Sequence, residues 1–164
     1  MSAESPRQAF LDKAAEVLSG MTGTRFWGGS YPNAPKVEVG EVRQFQDAGP
    51  LPWIGLLPGP GAQTDIPAMR GFDALIFDQF RIFIYGYVDG DGTINRSTWM
   101  QRLIRDIQQT LRRTNAFAAY RPGTTFPYAS SFDFEEEDLT YHADGSGAEF
   151  VLPLLVRIPD DLST

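Results

Sequence analysis

Residues 72–88, FDALIFDQFRIFIYGYV, carry the strongest strand signal in the chain. Aromatic and β-branched residues dominate the stretch, and those types suit a pleated, half-buried surface. Strand side chains point alternately to two faces. Phe80, Ile82, Ile84 and Val88 therefore share one face, and Arg81, Phe83, Tyr85 and Tyr87 share the other. The aliphatic face is suited to meet a helix. The opposite face is aromatic and mixed, which is unusual for a sheet surface left in water. It is expected to be covered by another part of the chain or by a partner, which makes Phe83, Tyr85 and Tyr87 candidate subunit-interface residues.

The turn DGDGTIN at 89–95 ends this strand and leads into a helix. Thr98 and Gln101 offer a capping box there. Met100, Leu103, Ile104, Ile107 and Leu111 recur at helical spacing and form an apolar stripe. Arg102, Arg105, Gln109 and Arg112 run along a polar side. Arg112 and Arg113 also suit the negative end of the helix dipole.

Upstream, Ser5, Pro6 and Gln8 predict a first helix, with Phe10, Ala14, Val17, Leu18 and Met21 on its apolar face and Gly20 and Gly23 as stops. Residues 32–67 hold seven of the 12 prolines, so loops and short strands are expected. Lys36–Val42 reads as one strand and Trp53–Leu57 as another, closed by PGPG at 58–61 and a loop to about Arg70. Downstream, 126–134 is aromatic and broken by proline. Asp138–His142 and Glu149–Ile158 read as strands around the turn DGSG at 144–147. Pro153 within the last strand predicts an edge position or a bulge. No βαβ alternation is present. The expected fold is α+β, one domain over 1–164, with a mostly antiparallel sheet and two main helices on one face.

A chain of 164 residues buries roughly 70% of its unfolded surface and needs no covalent staples. It has no cysteine, hence no disulfide, which fits a reducing compartment. MSAESPRQAF lacks the basic-then-apolar pattern of a signal peptide. The longest apolar run, Phe150–Val156, is far below the roughly 20 residues that span a bilayer. A cytoplasmic protein with no membrane association is expected. The net charge of −7 argues against tight nucleic-acid binding, which relies on Lys and Arg. Residues 96–113 carry five basic side chains and one acidic, whereas 114–164 carry two basic and nine acidic. Such blocks are either solvated faces or complementary surfaces that meet in an assembly.

Sites for chemistry are sparse. His142 is the lone histidine, in a turn, so a nucleophile–histidine system or a zinc site lacks its other parts. Asp89, Asp91 and Asn95 start like a calcium loop, but Met100 stands where the bidentate Glu belongs. GPGAQT at 59–64 lacks the Lys-Ser/Thr ending of a phosphate loop. Asp133, Glu135, Glu136, Glu137 and Asp138 offer carboxylates for acid–base work, but five so close together suit a charged strand edge or an assembly surface better. No enzymatic activity, cofactor or metal is expected.

The order of elements, rather than any diagnostic motif, offers a comparison. An amphipathic helix with Phe10 and Leu18 is followed by PKVEV at 35–39 and LPWIGLLPG at 51–59. Then come FRIFIYGYV at 80–88, WMQRLIRDIQQTL at 99–111 and EFVLPLLVRIP at 149–159. This layout, from Ala9 to Pro159, resembles the tail terminator or tail completion family of tailed bacteriophages and related minor tail proteins. Residues 58–70 and 114–131 are longer than a minimal member needs.

The resemblance implies a structural virion protein of the tail and neck, assembled in the host cytoplasm. It implies a hexameric ring that caps the tail tube protein, ends tube polymerisation and offers a surface to the head–tail connector or stopper protein. DNA passes through without specific binding. A negative lumen avoids gripping the DNA backbone, so the Asp133–Asp138 cluster is expected at the lumen or an open rim. Arg102, Arg105 and Arg112 are expected to meet acidic side chains of a neighbour. Segments 25–34 and 58–70 are expected to order on contact with the tube. Two other assignments fit the same residues. One is a different neck component such as a head–tail connector. The other is a ligand- or peptide-binding domain with a pocket lined by Trp53, Phe83 and Tyr85.

Overall fold

The computed structural model describes residues 6–21, 31, 33–41, 43–66, 75–90, 93–113, 131–143, 145 and 147–159. In chain order these form α1 (Pro6–Ser19), β1 (Lys36–Val39), a 3₁₀ turn (Phe45–Asp47), β2 (Trp53–Ile66), β3 (Leu75–Val88), α2 (Arg96–Arg113), β4 (Ser131–Phe134), β5 (Asp138–Tyr141) and β6 (Ala148–Pro159). The sheet order is β1-β2-β3-β6-β4, with β5 alongside the other half of β6. Among the described residues, only β1 and β2 run parallel. The fold is α+β with a mostly antiparallel sheet.

Alternation along β3 organises the core. Phe80, Ile82, Ile84 and Val88 are buried on one face with Ile54 and Leu56 of β2 and Phe150, Leu152, Leu154 and Val156 of β6. Phe10, Leu11, Ala14 and Leu18 of α1 and Met100, Leu103, Ile104, Ile107 and Leu111 of α2 belong to the same apolar cluster. Both helices thus cover one face, which we call the inner face. Phe132 and Phe134 of β4 pack against its margin. Full burial of each large apolar side chain contributes about 1.5–3 kcal/mol.

Several elements differ from their sequence-based expectation. β2 does not stop at PGPG but continues to Ile66, with a register shift between Pro58 and Gly61. β1 pairs only with Trp53–Leu56, so the prolines fall beyond the end of β1, where a missing N–H breaks no ladder bond on that side. β1 itself ends at Val39 rather than Val42. The α2 cap is Asn95, whose Oδ1 accepts the Thr98 N–H at 2.9 Å, and not Thr98. Ser5, Gly23 and residues 126–130 lie outside the described residues.

Pro153 is not at an edge. β6 is an inner strand, paired throughout with β3 on one side. On its other side β4 pairs with Leu154–Arg157 and β5 with Ala148–Val151. Three residues, 135–137, span two on β6, so β4 and β5 are one strand interrupted by a bulge. The Glu135 N–H donates to the Pro153 carbonyl at 2.9 Å. A strand residue's N and O point to the same side, so the absent Pro153 donor faces this interruption and costs the β3 ladder nothing.

Gly86 is a packing requirement of the inner face. It lies opposite Phe150 on β6, and a methyl group at this position would overlap the Phe150 ring. Gly86→Ala is expected to cost about 1–3 kcal/mol, which lowers the thermal midpoint by several degrees in a calorimetric scan. Asn95→Ala is expected to cost about 1 kcal/mol through the lost cap, measured by denaturant unfolding.

Candidate functional site

The outer face of the sheet is built from cross-strand rows. One row runs Trp53–Tyr87–Glu149–Thr140 and the next Gly55–Tyr85–Val151–Asp138. A third runs Leu57–Phe83–Pro153, and beyond it Leu155 lies between Arg81 and Asp133. Most of the side chains in the middle of this face are half-buried rather than covered.

The β1 end of the outer face is closed by its own chain. Trp53 is 1% exposed and stacks on Tyr87 at 4.9 Å, with its ring across Gly55, where a side chain would collide. Ala48 is buried against this pair, and the Tyr87 hydroxyl donates to the Arg43 carbonyl. Burial, followed by the charge of Glu149, raises the Tyr87 phenol above its usual value, so it remains a donor. Of the three aromatic interface candidates, Tyr87 is therefore covered internally, while Phe83 and Tyr85 stay partly open. The expected Trp53, Phe83 and Tyr85 pocket does not take that form, because Trp53 is packed into a separate small core.

A depression of about 90 Å³ lies between Tyr85, Tyr87, Asp138, Thr140, Glu149 and Val151. A smaller one, about 20 Å³, is lined by Tyr31, Leu51, Pro52, Val88, Asp89 and Trp99. Small-molecule sites generally need about 300–1,000 Å³, so neither suits a drug-sized ligand.

The acidic residues do not form one surface. Glu135 is held by Arg81, with Nε to Oε1 at 2.7 Å and Nη2 to Oε2 at 3.3 Å. Asp133 is exposed and 4.0 Å from Arg157. Glu136 is exposed and Glu137 half-buried, both in the bulge, and Asp138 borders the 90 Å³ depression. They lie along the β4–β5 edge, where charge discourages stray strand pairing.

The three arginines of α2 also differ. Arg102 lies over the Trp99 ring at 5.8 Å and Arg112 over Phe134 at 5.1 Å. Arg105 is exposed. Arg96 donates to the carbonyls of His142 and Gly147 and fastens the β5–β6 turn to the start of α2. His142 sits in that turn, its ring 4.6 Å from Phe45 and its Nε2 3.4 Å from Glu149. Asp89 accepts the Gly90 N–H at 2.7 Å, Asn95 caps α2, and Asp91 lies outside the described residues.

One polar pair was not anticipated. Asp106 is 3% exposed and accepts a hydrogen bond from the Tyr31 hydroxyl. Burial, reinforced by Asp106, drives the Tyr31 phenol far above its ordinary value, which keeps the proton on tyrosine. The signal was present: Asp106 follows Trp99 and Leu103 at helical spacing and is the lone acid of the basic block.

Glu38 on β1 receives Arg43 Nε at both carboxylate oxygens, 2.9 and 2.8 Å, with Lys36 Nζ at 3.3 Å. Burial alone would raise this carboxyl, but the hydrogen bonds from Arg43 and Lys36 outweigh it and hold it below 4.5. Its contribution is therefore fully present above that value and is lost as pH falls through the folded-state pKa. Glu38→Gln is expected to be less stable than the native chain at pH 7, with the gap shrinking below about pH 4.5 in denaturant titrations.

Among the described residues no helix is long and apolar enough to cross a membrane. No protein-family model matches the chain, and no curated protein matches it.

Proposed function

We propose that the protein is a ring-forming virion subunit of the tail-terminator kind, which caps a phage tail tube and ends its polymerisation. The head–tail connector then docks on the ring, and DNA passes through it. The observation that carries this proposal is the disposition of two unlike surfaces. Basic, exposed positions of α2 lie on one side of the subunit. The half-open Phe83 and Tyr85 face of the sheet, with Asp133 and Asp138 in its rows, lies on the other. A rotational ring needs such a heterologous contact, in which one face meets a different face of the next copy.

Other features support it. The depression beside Tyr85, about 90 Å³, is of a size to take a side chain. Each chain carries −7, so a ring of six would repel a DNA backbone passing through it. Asp133 and Glu136, exposed on the acidic edge, are the members of the cluster best placed to line a lumen or rim. The subunit would be assembled in the host cytoplasm and reside in the tail or neck. A different neck component, such as a connector, would share this geometry and differ in what it binds.

Electron microscopy of the purified protein, alone and mixed with its tube protein, tests the proposal. Sixfold rings, or tubes capped at one end, are expected. Rings that bind the connector but never a tube would identify a different neck component. A stable monomer that never joins a tail part would overturn the ring.

A further inference from the structure

We infer that Arg105 of one copy docks in the depression between Tyr85, Tyr87, Asp138 and Glu149 of the next copy. This rests on the ring proposed above and names its contact.

Among the arginines whose side chains are described, all but one are engaged within their own chain. Arg7, Arg102 and Arg112 lie over Phe80, Trp99 and Phe134 of their own chain. Arg43 and Arg81 pair with Glu38 and Glu135, Arg157 with Gln79, and Arg96 with turn carbonyls. Arg105 is exposed and has no such partner among the described residues. It extends from the side of α2 opposite the buried Leu103 and Ile107 stripe.

The depression offers what a guanidinium needs. Asp138 and Glu149 supply carboxylates from adjacent rows; Asp138 pairs with no lysine or arginine among the described residues, and Glu149 faces only His142 Nε2, at 3.4 Å. Tyr85, half-buried, supplies the aromatic surface, with the covered Tyr87 behind it. A planar cation gains from both, through charge-assisted hydrogen bonds and contact with a ring. The depression, about 90 Å³, suits the end of a side chain rather than a cofactor.

Position completes the match. The depression is on the outer face and α2 covers the inner face, so the two halves of the contact point away from each other on one subunit. They cannot meet within a chain, and they meet naturally when copies stack front to back around an axis.

A double-mutant cycle tests the pairing. Arg105→Ala, Asp138→Asn with Glu149→Gln, and their combination are compared with the native chain by sedimentation, alone and with tube protein as template. Each change alone is expected to raise the concentration for half-assembly about tenfold or more at low salt. The combination is expected to be little worse than either, because both remove one interaction. Asp138→Asn alone replaces the pair if circular dichroism shows that Glu149→Gln perturbs the fold. Fully additive losses, or assembly unchanged by Arg105→Ala, overturn this contact and leave the ring standing. Absence of any native assembly overturns both.

Discussion

The fold depends on the burial of one face of β3 against both helices. β3 is paired with β2 on one side and β6 on the other, so its backbone is satisfied without help from loops. Alternation then sends Phe80, Ile82, Ile84 and Val88 to the same side as the neighbouring strands' Ile54, Leu56, Leu152 and Leu154. A single-residue slip would turn this whole set outward. Register is therefore fixed by the core, and the aromatic outer face follows from it without a separate cause.

β2 and β3 each have 14 residues, about 46 Å when extended. The 18 residues of α2 span about 27 Å. The hairpin is thus longer than the helix that packs on it. Energetically, the helix-covered part holds the fold, and the charged periphery adds little, since exposed ion pairs contribute about 0–1 kcal/mol each. Charge in this protein therefore contributes little to the stability of the subunit.

Much of this was legible in the sequence because it rests on periodicity. The two faces of β3, the apolar stripes of both helices and the absence of βαβ units were readable from spacing alone. Context decided the rest. PGPG signals a turn in isolation, but past the end of β1 the prolines sit where no ladder bond is needed. Pro153 signals an edge or a bulge, and the bulge between β4 and β5 is what accommodates it within the sheet. Tyr87 looked available to a partner because the cover provided by residues 43–48 comes from a segment with no periodic signal. Asp106 shows the reverse, a charge within a basic, polar stretch that the fold buries against Tyr31.

Two irregularities flank the β3–β6 ladder within a few residues of each other. The β2 shift between Pro58 and Gly61 faces Arg81, and the bulge at 135–137 faces Leu152 and Pro153, the partners of Ile84 and Phe83. Bulges bend a strand and increase its local twist. With one on each flank, the added twist is concentrated near the middle of a β3–β6 ladder that itself stays continuous. In the proposed ring, the pitch of this twist would set the inclination between successive copies, and with it the diameter of the circle they close.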